Sequence, residues 1–227
     1  MNKSIKLALC TLTFLSVPIY PLNIKDTAVK VATNVSLAYI AAYTLTLCHE
    51  LGHAITYTIY TEEFPQSIWI NPIYPITGYT QVDAGEVLLL TPKQRAYIAL
   101  SGPLTGIIAS ITALLGTTFV MEYIKSRSLT CAATALITKS LINDTQPLAL
   151  QLVIARAIPQ NIYNLKPTSP TSDGFQFFKE INASEKVKKY STWVIWVAQQ
   201  AVAISIDYAT GKILGNTIAQ TLNNLTP

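Results

Sequence analysis

Uncharged, mostly apolar runs dominate the pattern along the chain, at 7–24, 31–48, 96–121 and 190–206. A bilayer core about 30 Å thick needs roughly 20 such residues as helix, so each run predicts one transmembrane helix. A fifth candidate, 145–163, is broken by Arg156 and Pro159. An arginine inside a span must face protein, water or the interface. The stretch 128–143 is too short to cross and carries Lys139, which predicts an amphipathic helix along the surface. Lys3 and Lys6 precede the first run as in a secretory signal, but Pro18 and Pro21 interrupt its end and no A-x-A pattern follows. We therefore expect a retained first span.

Between the second and third runs the texture changes. Residues 61–95 alternate Ile, Tyr, Trp, Thr and Val with Pro, Gly and Asn, which is strand and turn chemistry. The pattern predicts a small β-hairpin with its tip at Ile76–Tyr79. Pro65, Pro72 and Pro75 forbid a central strand, so any strand here keeps an open edge.

Composition agrees with the runs. Half of the 227 residues are hydrophobic and 12% are charged, against roughly a quarter charged in soluble domains. A net charge of +4 is too mild for a nucleic-acid footprint. The basic residues lie mostly between the apolar runs, as in membrane proteins. Cys10, Cys48 and Cys131 are far apart and odd in number, which excludes a disulfide scaffold or CxxC site. Loop charges are nearly balanced, and the Lys179, Lys186, Lys188 and Lys189 cluster marks the side expected to face the cytoplasm.

The chemistry begins where the second run ends, at His49-Glu50-Leu51-Gly52-His53. Positions i and i+4 share one helical face, so both imidazoles can reach a single metal ion. Glu50 stands about 100° round the helix, placed to take a proton from water rather than to bind the metal. The chain has two histidines in all, so this pairing is unlike chance placement, and ionisable groups in so apolar a stretch are functional by default. A catalytic zinc needs a third protein ligand. With no third histidine the metzincin pattern is excluded, and Cys48 reads as a small apolar packer. Spacing does not choose among the carboxylates that remain. Glu62 and Glu63 read as a solvated helix end, and Asp207 as structural.

Asn164-Leu-Lys-Pro167-Thr-Ser-Pro170-Thr-Ser-Asp173-Gly174 resembles the N-x-x-P…D-G motif of site-2 proteases, a family of intramembrane zinc metalloproteases. Asn164 and Pro167 keep the family's spacing, Asp173 falls one residue later than in the commonest version, and Phe175 replaces a second glycine. Ser101-Gly102-Pro103-Leu104 is similar to the family's Gly-Pro motif, with Gly106 where an asparagine is usual. The resemblance spans about residues 31–206 and includes a membrane-associated β-loop. It implies that Asp173 is the third zinc ligand beside His49 and His53, that Glu50 is catalytic, and that Asn164 orients substrate or loop. Asp173 also suits a helix cap before Gly174.

The expected molecule is an all-α polytopic membrane protein, one domain over 1–227, with four to six transmembrane helices and a small hairpin between the second and third. Its expected work is zinc-dependent hydrolysis of membrane-associated or transmembrane protein substrates, in a bacterial-type cytoplasmic membrane. Two other classes fit the same motif: a zinc-binding adaptor or assembly factor without hydrolysis, and a metal transporter. An intact Glu50 argues against the first. Polar groups gathered at one motif, not spread over several spans, argue against the second.

Overall fold

A computed structural model describes residues 24–138 and 148–223. Among them are seven helices and one two-stranded sheet: α1 Ile24–Thr61, β1 Ser67–Ile70, β2 Gly78–Gln81, α2 Ala84–Leu89, α3 Pro92–Ser126, α4 Leu129–Thr138, α5 Leu148–Asn164, α6 Asp173–Glu180 and α7 Glu185–Asn223. All but the last residue of the expected span 7–24 lies outside the described residues, as does 139–147. Among the described residues, two helices are long and apolar enough to cross a bilayer, Val31–Thr61 and Pro92–Ser126. The runs at 145–163 and 190–206 fall largely within α5 and α7.

Local chemistry sets the boundaries. Helix α1 does not stop at 48 but continues to Thr61, so the histidine motif lies inside it and not at its end. The Thr61 hydroxyl donates back to the Tyr57 carbonyl at 2.9 Å, and Glu62 adopts a left-handed φ of 62° that ends the helix. Glu62 and Glu63 are exposed beyond it. Helix α3 opens on a capping box, in which Thr91 and Gln94 exchange hydrogen bonds and Pro92 takes the first turn, where no partner is needed for its missing N–H. Arg127, with a left-handed φ of 54°, closes it.

Strands β1 and β2 pair antiparallel with Trp69 opposite Tyr79, whose rings stack with centroids 5.4 Å apart. The tip of this hairpin is Asn71–Thr77, not Ile76–Tyr79, because Gly78 and Tyr79 already belong to β2. The Asn71 side-chain oxygen accepts from the Ile73 and Tyr74 N–H groups, and Asn71 N–H donates to the Thr77 carbonyl at 2.9 Å. An Asx turn thus competes for the backbone ahead of the glycine. Helix α1 holds the hairpin down: Tyr39 donates to the Pro72 carbonyl and Thr46 to the Pro75 carbonyl, each at 2.6 Å.

Helices α1, α3, α5 and α7 meet in a core of Leu45, Leu114, Ile154, Ala155 and Ile206. Arg156 lies on the outer side of α5 and pairs with Asp207 of α7, which satisfies both charges between neighbouring helices. Helix α6 packs on α3, and Arg95 at the start of α3 binds Glu180 at the end of α6 at 2.8 Å. These contacts bring the start of α6 beside the middle of α1.

Candidate metal centre

One helical turn places His49 and His53 side by side on α1, with Nε2 atoms 3.2 Å apart. The start of α6 completes the group. Asp173 Oδ2 lies 3.2 Å from His49 Nε2, and Oδ1 lies 3.3 Å from His53 Nε2. In a tetrahedral zinc site with bonds of about 2.0–2.1 Å, two ligand atoms sit about 3.3 Å apart. The separation of the two Nε2 atoms matches one edge of such a tetrahedron, and Asp173 turns one oxygen to each ring. One ligand atom from each of the three residues lies within 4.8 Å of the others, a donor set of two imidazoles and a carboxylate that zinc accepts.

The His53 ring is oriented by a backbone acceptor. Its Nδ1 lies 2.7 Å from the Ile98 carbonyl, which can only accept, so Nδ1 carries a hydrogen and Nε2 is the nitrogen left to bind a metal once its own proton is displaced. Burial pushes the Asp173 carboxyl up, but hydrogen bonds and charge from His49 and His53 outweigh that and hold it at about 2. A metal ion that replaces protons among these atoms meets a ligand that is already ionised.

Asp173 is free to face the histidines because another residue caps its helix. Ser172 is the N-cap of α6, accepting from Phe175 N–H at 3.2 Å, so Asp173 is not the cap and takes the first helical position. The Ser172 hydroxyl also donates toward the Lys166 and Ser169 carbonyls at 2.7 and 2.8 Å, folding the Pro-rich loop on itself. Gly174 is required where α6 meets the end of α5: a Cβ there would lie 2.0 Å from the Leu165 carbonyl oxygen.

Glu50 is 5% exposed and sits beneath β2. The Thr80 hydroxyl lies 3.0 Å from Glu50 Oε2 and 2.9 Å from the Glu50 carbonyl, and a Cβ at Gly78 would come within 3.2 Å of Oε1. The hairpin thus forms a wall of the site beside the carboxylate. Asn164 ends α5, and its Oδ1 accepts from Gln160 of its own helix at 3.5 Å. The amide against the histidine pair is Asn161, one turn earlier, with Oδ1 2.6 Å from His49 Nδ1.

Asn161, Thr80 and the Ile98 carbonyl were not singled out by sequence reasoning. For Asn161 a signal exists: Gln151, Ile154 and Asn161 recur at helical spacing and are buried on one face of α5. Thr80 and Ile98 carry none.

A family model described as peptidase family M50 matches residues 37–224. No curated protein and no solved structure matches the chain.

Proposed function

The chain belongs to peptidase family M50, the site-2 protease family, and on that premise we propose that it is an intramembrane zinc metalloprotease. The observation that carries this is the convergence of His49, His53 and Asp173 on one point, with Glu50 on the adjoining face of the same helix. The single domain is read as a multi-pass bundle in which α5 and α7 join α1 and α3 as spans, four of the four to six expected. Its substrates are membrane-associated or transmembrane proteins, and its membrane is of the bacterial cytoplasmic type.

His49, His53 and Asp173 hold the zinc. When bound, the ion supplies Lewis acidity that polarises the scissile carbonyl and acidifies water. Glu50 accepts the proton of the attacking water and returns it to the departing amine. Its burial beneath β2 keeps bulk solvent away from that transfer, and Thr80 fixes its carboxylate by a hydrogen bond. A helical substrate must unwind first, because its carbonyls are otherwise committed to intrahelical bonds. The open edges of β1 and β2 offer an unwound strand backbone partners next to Glu50. Asn164, at the mouth of the Pro-rich loop, positions that loop or the substrate.

Co-expression with candidate membrane substrates, comparing wild type with Glu50→Gln, tests the proposal. Cleavage by the wild type and none by Glu50→Gln, at equal expression, is the expected outcome. Equal processing by both proteins would reject it.

A further inference from the structure

We propose that Asn161 is a positioning residue for the metal centre, selecting the tautomer of His49, and that the bare backbone at Gly106 exists to seat it. The inference rests on the zinc reading above and extends it beyond the three ligands.

The tautomer follows from acceptors that cannot donate. Asn161 Nδ2 donates to the Ala157 carbonyl at 2.8 Å. That bond fixes which end of the amide is nitrogen, leaving Oδ1 to face His49 Nδ1 at 2.6 Å. Oδ1 accepts only, so His49 Nδ1 must carry the hydrogen. That leaves Nε2, the atom that faces Asp173 and His53, as the metal-binding nitrogen of the ring once its own proton is displaced. Helix α5 does for His49 by a side chain what α3 does for His53 by the Ile98 carbonyl. Both rings are held through Nδ1, and Asn161 is 6% exposed, so water competes little for its bond to His49.

The amide has room because Gly106 has no side chain. A Cβ there would lie 2.3 Å from Asn161 Oδ1 and 2.6 Å from both Cγ and Nδ2. Every polar end of the amide would have to move. The helical spacing of Gly102 and Gly106 thus serves two different ligands, since a Cβ at Gly102 would strike the His53 ring. An orienting partner of a metal-bound imidazole is commonly worth about 10- to 100-fold in metal affinity.

The test uses full-length protein in detergent or nanodiscs, loaded with cobalt(II) in place of zinc. Affinity is read by chelator competition, and ligand geometry by the visible absorption of the cobalt. Asn161→Leu, which keeps the volume and removes the acceptor, should weaken cobalt binding about 10- to 100-fold and alter the spectrum. Asn161→Asp keeps an acceptor toward Nδ1–H and should stay within a few-fold of wild type. Gly106→Ala should reproduce Asn161→Leu with the amide still in the chain, and adding it to Asn161→Leu should cost little more, because both remove one contact. Wild-type affinity and spectrum in Asn161→Leu would overturn the inference, as would equal losses in Asn161→Leu and Asn161→Asp. Wild-type protein that takes up no cobalt would instead reject the metal site itself.

Discussion

Replacing Gly102 by alanine adds one methyl group, and its effect can be worked from the packing of α3 against α1. A Cβ at this position would lie 2.1 Å from His53 Nε2, 2.5 Å from Cε1 and 2.6 Å from Cδ2. Ordinary carbon–nitrogen contact begins near 3.4 Å, so the ring must retreat by about 1.3 Å or α3 must lift away. The ring has little freedom to retreat, because its Nδ1 is tied to the Ile98 carbonyl at 2.7 Å on the same α3 helix. Overpacking of this kind costs about 1–3 kcal/mol of stability, and ligands must be held within about 0.5 Å to function. Displacement by more than that should remove His53 from the metal, with at least a 100-fold loss of zinc affinity and of cleavage. Gly116→Ala on the same helix is the control: a Cβ there meets nothing within 4 Å. It should leave zinc and cleavage unchanged and add about 0.5–1 kcal/mol from helix propensity. Chelator competition with zinc determination by mass spectrometry, alongside thermal unfolding in detergent, reads both variants. Wild-type zinc affinity in Gly102→Ala would refute the reasoning, because no arrangement of these helices admits both the methyl and the ring as placed.

Asp173→Ala should lose zinc and cleavage together, whereas Asp207→Asn, which only disturbs the pair with Arg156, should keep both; full occupancy in Asp173→Ala would move the third ligand elsewhere. Thr80→Val removes the hydroxyl 3.0 Å from Glu50 Oε2 and should lower kcat about tenfold with zinc content unchanged, the size expected for one hydrogen bond to a charged group. An unaltered kcat would exclude the hairpin from the chemistry. In metal-free protein, the depressed Asp173 value of about 2, against an ordinary 3.8, stabilises the fold above pH 3.8, and that contribution disappears as the pH falls toward 2. Asp173→Asn should flatten that part of the acid unfolding profile, and an unchanged profile would remove the contact as its source.

The centre was legible where one helical turn or one turn motif carries the chemistry. His49 and His53 are a consequence of spacing on α1, and Asp173 was found through the Pro-rich stretch and Asp-Gly that resemble a known motif. Which residue caps α6 was not legible: Ser172 and Asp173 are both favoured caps, and the loop contacts of Ser172 with the Lys166 and Ser169 carbonyls join residues that local sequence does not single out. The same holds for Asn161 and Asn164, three residues apart on α5, where the rotation of the helix against α1 and α3 selects the one that reaches His49. The glycines of α3 read as a common packing face, yet Gly102 and Gly106 each make way for a different side chain and Gly116 for none. The hairpin was expected from alternation and placed correctly between α1 and α3. Its tip was misplaced because a side-chain bond from Asn71 closes the turn before Gly78. Long-range pairs such as Arg156–Asp207 and Arg95–Glu180 depend on which helices touch, and periodicity does not encode that.

Zinc-edge X-ray absorption on the purified full-length protein tests the central claim most directly, because it reads the ligand atoms themselves. Two imidazole nitrogens and oxygen ligands at about 2.0–2.1 Å are predicted, with no sulfur, and with the imidazole signature reduced in His53→Ala. A sulfur ligand near 2.3 Å, which Cys48 beside His49 could supply, or a spectrum indifferent to His53, would contradict the site assigned to His49, His53 and Asp173.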